Sequence, residues 1–220
     1  MIKKKRIKII GAVCGFLGFI VIAWIFYPIV AYQINAPKLM TFLSPIAQAD
    51  GVINTDANIN DTDAATWFPT KASNLFTNDP VSFYTITIQR LGIVNAKVAI
   101  GGEDLSQSLI QYPGTALPGQ IGNTTIFGHS VLPAFYNPKN YLTIFSTIPT
   151  LNEGDIITVN YDGITYKYSV EQKYIVDPSD VQVLSQDESD SFLTLVTCVP
   201  PGLTTYRGVI KARIMPVGEN

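Results

Sequence analysis

Hydrophobic and polar positions divide the chain into three parts. Residues 9–32 are almost entirely apolar and carry no charge, and residues 33–80 show no regular period. Residues 81–220 contain short apolar and aromatic runs separated by Gly, Pro, Asn and Asp. The first run, Phe83–Arg90, alternates apolar and polar side chains with a period of two, which predicts a half-buried strand. The third part is therefore predicted to be a mainly β domain.

Further strands are predicted at short intervals along this domain. They are Ala96–Ile100, Ser108–Tyr112, Thr124–Phe127, Ile156–Tyr161, Ile164–Val176, Phe192–Thr197 and Tyr206–Met215. Two of them flank Asp162-Gly163, a dipeptide that favours a two-residue hairpin turn of type I′. Tyr141–Thr147 is the candidate for one or two helical turns. Regular short strands with turn residues between them indicate a closed or nearly closed β-barrel.

The N-terminal apolar segment predicts a membrane anchor. Five Lys and Arg residues within residues 1–8 precede it, and its 24 residues correspond to roughly 36 Å of helix against about 30 Å of bilayer hydrocarbon. The positive-inside rule then places residues 1–8 in the cytoplasm and the remainder outside the cell membrane. A cleaved signal peptide is the alternative, but the apolar segment is long for one and no small-x-small cleavage site follows it.

Residues 33–80 are predicted to form an extracytoplasmic stalk, with one short helix near Lys38–Ala49. Trp67 and Phe68 are unusual in a stalk. We expect them to pack against the folded domain, and a lid over a groove is the alternative. The catalytic or binding function is expected in residues 81–220.

Composition mainly excludes classes of site. Only 15% of residues are charged, against about 25% in soluble domains, which fits an apolar membrane segment. One His and two Cys exclude metal sites built on two imidazoles or four thiolates. From residue 38 onward, ten Lys and Arg face seventeen Asp and Glu, a net charge of −7. This acidic balance predicts no binding to nucleic acid.

One thiol and one imidazole of the exported part are candidates for catalysis. Cys198 follows the predicted strand Phe192–Thr197, and His129 follows Thr124–Phe127 and Gly128. Because Cys14 lies in the apolar segment, Cys198 is expected to remain a thiol. A thiolate is a strong nucleophile, and an imidazole can stabilise it or protonate a leaving amine. Taken singly, a buried structural cysteine and a solvated histidine remain the alternatives.

Arg207 is the third candidate. If the last two predicted strands are antiparallel neighbours, Arg207 returns beside Cys198, where a guanidinium can stabilise a developing oxyanion. An ordinary surface arginine is the alternative. Arg213 lies six residues further along the same strand, roughly 20 Å at about 3.3 Å per residue, which is too far to share the site.

These residues resemble the signature of the sortases, the cysteine transpeptidases of bacterial surfaces. Thr194-Leu-Val-Thr-Cys198 with a downstream Arg207 is similar to their active-site motif, and Pro118 to His129 is similar to their approach to the catalytic histidine. The resemblance covers about Phe83 to Pro216. It implies a closed eight-stranded barrel with one or two short helices. It also implies that Cys198 is the nucleophile, His129 the general acid and base, and Arg207 the stabiliser of the transition state, with Thr197 a candidate substrate contact.

The implied substrates are exported proteins with a C-terminal sorting signal of the Leu-Pro-x-Thr-Gly kind. The resemblance implies that these proteins first form a thioester with the enzyme. They are then transferred to an amine of a cell-wall precursor or of a pilin lysine. Some sortases bind calcium through acids before the histidine, but Leu105–Gly128 contains no Asp or Glu, so neither a metal nor a cofactor is expected. Asp79-Pro80 partly resembles the Asp-Pro-aromatic lid of pilin-type sortases, but Val81 follows and we expect a turn.

Three other classes of protein are the alternatives to this family. An L,D-transpeptidase would place His-Gly directly before the cysteine, where this chain has Val196-Thr197. A papain-like protease would have its cysteine at the start of a helix and its histidine later in the chain. The alternative outside the enzymes is a membrane-anchored, non-catalytic β-barrel binding module with an idle thiol.

Overall fold

The chain consists of two compact units, Met1–Lys38 and Leu39–Asn220. A computed structural model describes residues 13–27, 30–31, 41–42, 62, 67 and 83–216. In the first unit, residues 13–27 are helical. None of the helices within the described residues has both the length and the apolar character needed to cross a membrane. The predicted anchor, residues 9–32, extends beyond the described residues at both ends.

The second unit is built on one sheet, whose strands in the described residues lie as follows. They are β1 Thr41–Phe42, β2 Phe83–Ile88, β3 Ile93–Ile100, β4 Leu109–Gln111, β5 Gly122–Phe127, β6 Ile156–Tyr161, β7 Ile164–Val176, β8 Ser191–Val199 and β9 Tyr206–Ile214. Short 3-10 helices lie at Gln89–Leu91, Pro133–Phe135, Ile148–Thr150 and Val181–Leu184.

Hydrogen bonding closes eight of these strands into a barrel. The strand order is β7-β6-β2-β3-β4-β5-β8-β9, and β9 pairs again with β7. Closure is possible because β7 is 13 residues long. It pairs with β6 up to Ser169 and with β9 from Tyr168 onward. The predicted eight-stranded barrel is confirmed, and β1 adds a short parallel pairing to β7 at Tyr174 and Ile175.

The strands differ in how deeply they are buried. β2 alternates exposed or partly buried positions with buried ones, as a strand with one solvated face should. Every residue of β5 and of β8 is buried, since these strands are covered on both faces. Leu193 and Leu195 join the main core cluster. Val196 and Cys198 belong to a second buried cluster. The sites at the ends of β5 and β8 are therefore held by rigid strands.

The structure describes both the hairpin turn and the helical turns that were predicted between strands. Asp162 and Gly163 have φ values of 50° and 75°, so the predicted hairpin turn with two left-handed residues is confirmed. The helical turns predicted at Tyr141–Thr147 are present as hydrogen-bonded turns that lead into the 3-10 helix Ile148–Thr150. The Thr143 amide donates to the Asn140 carbonyl, and the Asn140 side chain accepts a bond from the Leu142 amide, as a residue at the start of a helical turn does.

The stalk is described at few positions. Thr41–Phe42 is a strand, where a short helix had been expected near residues 38–49. The rest of that predicted helix, Phe68 and the predicted turn at Asp79-Pro80 lie outside the described residues. The Thr62 carbonyl accepts a hydrogen bond from the Leu105 amide, so this position contacts the barrel domain.

Candidate active site

Cys198 and Arg207 lie opposite each other on neighbouring strands. Cys198 near the end of β8 pairs with Arg207 at the start of β9, in a continuous antiparallel register. Directly paired residues place their side chains on the same face of a sheet. Accordingly, Nη1 of Arg207 lies 3.7 Å from Sγ of Cys198. The antiparallel pairing expected from the sequence therefore brings the guanidinium to the thiol.

The backbone at His129 is tied to the same end of β8. β5 and β8 are parallel, with Phe127 opposite Val196, and the Gly128 amide donates to the Val196 carbonyl at 3.1 Å. Ser130 then donates its hydroxyl to the Cys198 carbonyl at 2.8 Å. His129 lies two residues past Phe127, and Cys198 lies two residues past Val196. Their backbones therefore lie side by side at the same end of the two strands.

The imidazole of His129 is oriented by its own chain. Its Nδ1 lies 3.1 Å from the Ser130 carbonyl oxygen. Since a carbonyl only accepts hydrogen bonds, this contact requires a proton on Nδ1. In the neutral ring, Nε2 is then the basic nitrogen. The ring is partly buried, so it retains access to solvent or substrate.

Gly128 lets two buried side chains pack directly against the backbone before His129. A Cβ on Gly128 would collide with the Phe145 ring and would come within 2.7 Å of Cδ2 of Leu109. Phe145 also donates its amide to the His129 carbonyl at 3.1 Å. The Gly-His dipeptide is thus a close-packing requirement as well as a motif.

Arg207 is a buried cation that is held by several carbonyl groups. Its side chain is 1% exposed. Nη1 donates to the Thr204 carbonyl at 3.0 Å and the Tyr206 carbonyl at 3.4 Å, and Nη2 donates to the Trp67 carbonyl at 3.1 Å. A buried charge is tolerated only with such partners. The alternative of an ordinary surface arginine is therefore excluded.

Trp67 covers Arg207 and the strand ends. Its ring stacks on Phe127 with centroids 5.6 Å apart, and the Arg207 guanidinium lies 5.0 Å from the ring centroid. Trp67 is 1% exposed and Cys198 is 3% exposed. Trp67 thus packs against the folded domain, as the sequence led us to expect, and it does so at the candidate site.

Two other residues considered in the sequence lie apart from the thiol face. Thr197 is fully buried and donates its hydroxyl to the Gly128 carbonyl at 2.9 Å, so it links the ends of β5 and β8. Its contact with substrate stays a prediction. Arg213 pairs with Glu171 and with Asp190 near the other end of β9. Ser130 and Trp67 were not identified as site residues from the sequence. The position of Ser130 directly after the Gly-His dipeptide was the available signal for the first.

Comparison with known proteins decides the family. Residues 86–215, more than half of the chain, match the family model described as the sortase domain. The chain belongs to the sortase family. Sortases are cysteine transpeptidases, so this protein is an enzyme of that class. The match disfavours the L,D-transpeptidase and papain-like classes.

Solved sortase structures agree with this assignment. A sortase D5 transpeptidase of Clostridium perfringens is 26% identical, with a TM-score of 0.52 over 61% of this chain and 79% of that chain. Sortase A of Corynebacterium diphtheriae is 28% identical, with a TM-score of 0.55 over 64% of this chain and 63% of that one. Sortase C-1 of Actinomyces oris is 26% identical, with a TM-score of 0.53 over 64% and 77%. These similar scores do not single out one sortase type. Curated protein sequences give no match.

Proposed function

We propose that this sortase cleaves a C-terminal sorting signal of the Leu-Pro-x-Thr-Gly kind and transfers the upstream part to an amine. The observation that carries the proposal is the Cys198–Arg207 pair, 3.7 Å apart, at the strand end to which the backbone around His129 is tied. A nucleophile, a cation and an imidazole at one strand end are the groups that acyl transfer from an amide needs.

The first half of the reaction forms a thioester. The Cys198 thiolate, stabilised by the adjacent positive charge of Arg207, attacks the threonine carbonyl carbon. A C–S bond forms, and the carbonyl electrons move onto the oxygen, whose charge the Arg207 guanidinium stabilises. The His129 imidazolium gives its proton to the leaving nitrogen as the C–N bond breaks. The C-terminal fragment leaves as an amine.

The second half transfers the acyl group. An acceptor amine attacks the thioester carbonyl, neutral His129 takes the proton from that nitrogen, and the Cys198 thiolate departs. The acceptor we propose is an amine of a cell-wall precursor or of a pilin lysine. His129 serves first as an acid and then as a base, so the imidazole returns to its starting state after each turnover.

Trp67 contacts the guanidinium that this reaction uses. Its carbonyl oxygen accepts the hydrogen bond of Arg207 Nη2, and its ring lies over the guanidinium. In the mechanism, the substrate oxygen also accepts from this guanidinium. The Trp67 carbonyl and the substrate oxygen therefore share the donors of Arg207.

We propose further that the enzyme is a single-pass membrane protein with its catalytic domain outside. The apolar residues 9–32 and the five cations before them support this. Anchoring would place enzyme and membrane-tethered substrate at high effective concentration. Cell fractionation with N-terminal sequencing tests the proposal: the intact chain is expected in the membrane fraction, and a soluble chain lacking residues 1–32 would contradict it.

A ligation assay tests the function. The full-length chain is incubated with a sorting-signal peptide and triglycine, and the products are identified by mass spectrometry. The expected products are the peptide joined to triglycine after threonine and the released C-terminal fragment. Binding of peptides without cleavage would instead favour the non-catalytic binding module.

A further inference from the structure

The ladder between β5 and β8 ends just before the two proposed catalytic residues. Phe127 opposite Val196 is its last pair, and the Gly128 amide donates to the Val196 carbonyl at 3.1 Å. If this parallel ladder continued, the next amide along β5 would donate to the next carbonyl that β8 presents on the same side. These two groups are the amide of Ser130 and the carbonyl of Cys198.

The Ser130 hydroxyl takes the place of that backbone donor. The strand ends at Phe127, so the chain at Ser130 has left the sheet. Its Oγ nevertheless donates to the Cys198 carbonyl at 2.8 Å. Ser130 is 1% exposed, and removing its hydroxyl would leave a buried acceptor without this donor. A side chain thus continues the pairing after the backbone has diverged.

The same residue contacts the imidazole through its backbone. The Ser130 carbonyl oxygen lies 3.1 Å from Nδ1 of His129, so the peptide group after His129 orients the ring. Ser130 therefore has one bond to the chain of the proposed nucleophile and one to the ring of the proposed acid and base. A shift of Ser130 relative to β8 would move the ring relative to the sulfur.

A second hydroxyl bond crosses between the same two segments in the opposite direction. Thr197, directly before Cys198, donates to the carbonyl of Gly128, directly before His129, at 2.9 Å. Both hydroxyl-bearing residues are buried. The two bonds attach the segments to each other on either side of His129, so they fix the direction of the histidine segment as well as its distance from β8.

Other contacts hold the histidine segment to a different part of the barrel domain. The His129 carbonyl accepts a bond from the Phe145 amide at 3.1 Å, and the Val131 amide donates to Oγ of Ser146 at 2.9 Å. Neither of these contacts involves β8. Because they remain when the Ser130 hydroxyl is removed, we expect the barrel to fold while the alignment of His129 with Cys198 is relaxed.

We propose that Ser130 is a positioning residue, which holds the His129 imidazole where it protonates the leaving nitrogen. The inference rests on the proposed function and adds a residue to its first half-reaction. Misplacing a reacting group by about 1 Å can cost on the order of 10²-fold in rate. Attack by the sulfur depends instead on Cys198 and Arg207, whose pairing lies on the β9 side of β8.

Two acyl donors with the same acyl group separate these steps. Both form the same C–S bond to Cys198. In Leu-Pro-Ala-Thr-Gly-Gly the C–N bond breaks and the nitrogen needs a proton to leave. In the 4-nitrophenyl ester of Leu-Pro-Ala-Thr the C–O bond breaks, and 4-nitrophenolate leaves with the electron pair and needs no proton.

Acylation of the full-length enzyme in detergent is measured with each donor in single turnover. Rates are expressed per active site, counted from the amplitude of the 4-nitrophenolate burst without acceptor. Release of 4-nitrophenolate in the presence of the Cys198→Ala enzyme is subtracted as background. Counting active sites ensures that a partly unfolded sample does not imitate a slower step.

Ser130→Ala is expected to slow acylation by the amide about tenfold or more, and acylation by the ester less than about twofold. Ser130→Thr keeps the donor, so its amide-to-ester ratio should exceed that of Ser130→Ala. Ser191→Ala is the matched control, since Ser191 is a buried serine at the other end of β8, with its Oγ 3.4 Å from the Tyr168 hydroxyl. It should leave both rates unchanged.

The outcomes separate the two proposals. The positioning role would be overturned by equal slowing with both donors, by unchanged acylation of Ser130→Ala by the amide, or by no higher ratio in Ser130→Thr. Loss of the fold in Ser130→Ala but not in Ser191→Ala, measured by circular dichroism, would overturn it too. Each of these results leaves the transpeptidase function intact. No acylation of the unaltered enzyme by either donor would contradict the proposed function itself.

Discussion

Replacing Cys198 with alanine is expected to abolish transfer of a sorting-signal peptide to triglycine while the barrel stays folded. The sulfur is the atom that carries the acyl group between the two half-reactions, and no neighbouring group replaces a thiolate as nucleophile. We expect the rate to fall at least about 10³-fold, as when a covalent nucleophile is removed from an enzyme. The measurement is the initial rate of ligation, with circular dichroism and thermal unfolding to show that the fold remains.

Cys14→Ala provides the matched control, because it removes the other cysteine of the chain. It should ligate at the rate of the unaltered enzyme. Ligation by the Cys198→Ala enzyme at more than a few per cent of the normal rate would refute the covalent mechanism.

The second large effect is expected from Arg207→Gln. This change removes the charge that lies beside the Cys198 sulfur and the donors that stabilise the oxyanion. Loss of one such stabilising group costs about 10²–10³-fold in kcat. Arg207→Lys should recover only part of the rate, because an ammonium lacks the planar fork of donors. Single-turnover kinetics of thioester formation measures the affected step directly.

Arg213→Gln is the control on the same strand. Arg213 lies six residues beyond Arg207, and it pairs with Glu171 and Asp190 on the surface. We expect ligation by this variant to stay near the normal rate, since exposed ion pairs contribute little to stability. If both arginine variants lost activity equally, the loss would reflect a general defect and not the chemistry at Cys198.

Alternating apolar positions and turn residues were sufficient to predict most of the barrel. Asp162-Gly163 specifies its hairpin because both residues adopt positive φ values. The pairing of β8 with β9 follows from their nearness in sequence, and it placed Arg207 beside Cys198. The strands that carry His129 and Cys198 could be found because each ends at a recognisable polar residue after an apolar run.

Long-range contacts could not be read from the sequence. Arg207 donates a hydrogen bond to Trp67, which lies 140 positions earlier in the chain. No local sequence pattern predicts such a contact. The β7–β8 connection is held against β5 by hydrogen bonds of Asn123 with Val183 and Gln186, and short-range periodicity does not encode such contacts.

The most direct measurement of the central claim is the position of the acyl group on the enzyme. The full-length chain is mixed with a sorting-signal peptide, quenched in acid, digested and mapped by tandem mass spectrometry, and a second portion is chased with triglycine before quenching. The account predicts a thioester on Cys198, with the peptide attached through its threonine carbonyl, that disappears during the chase as the ligated product forms. An acyl group on any other residue, or ligated product without an adduct on Cys198 in a quench-flow time course, would contradict it.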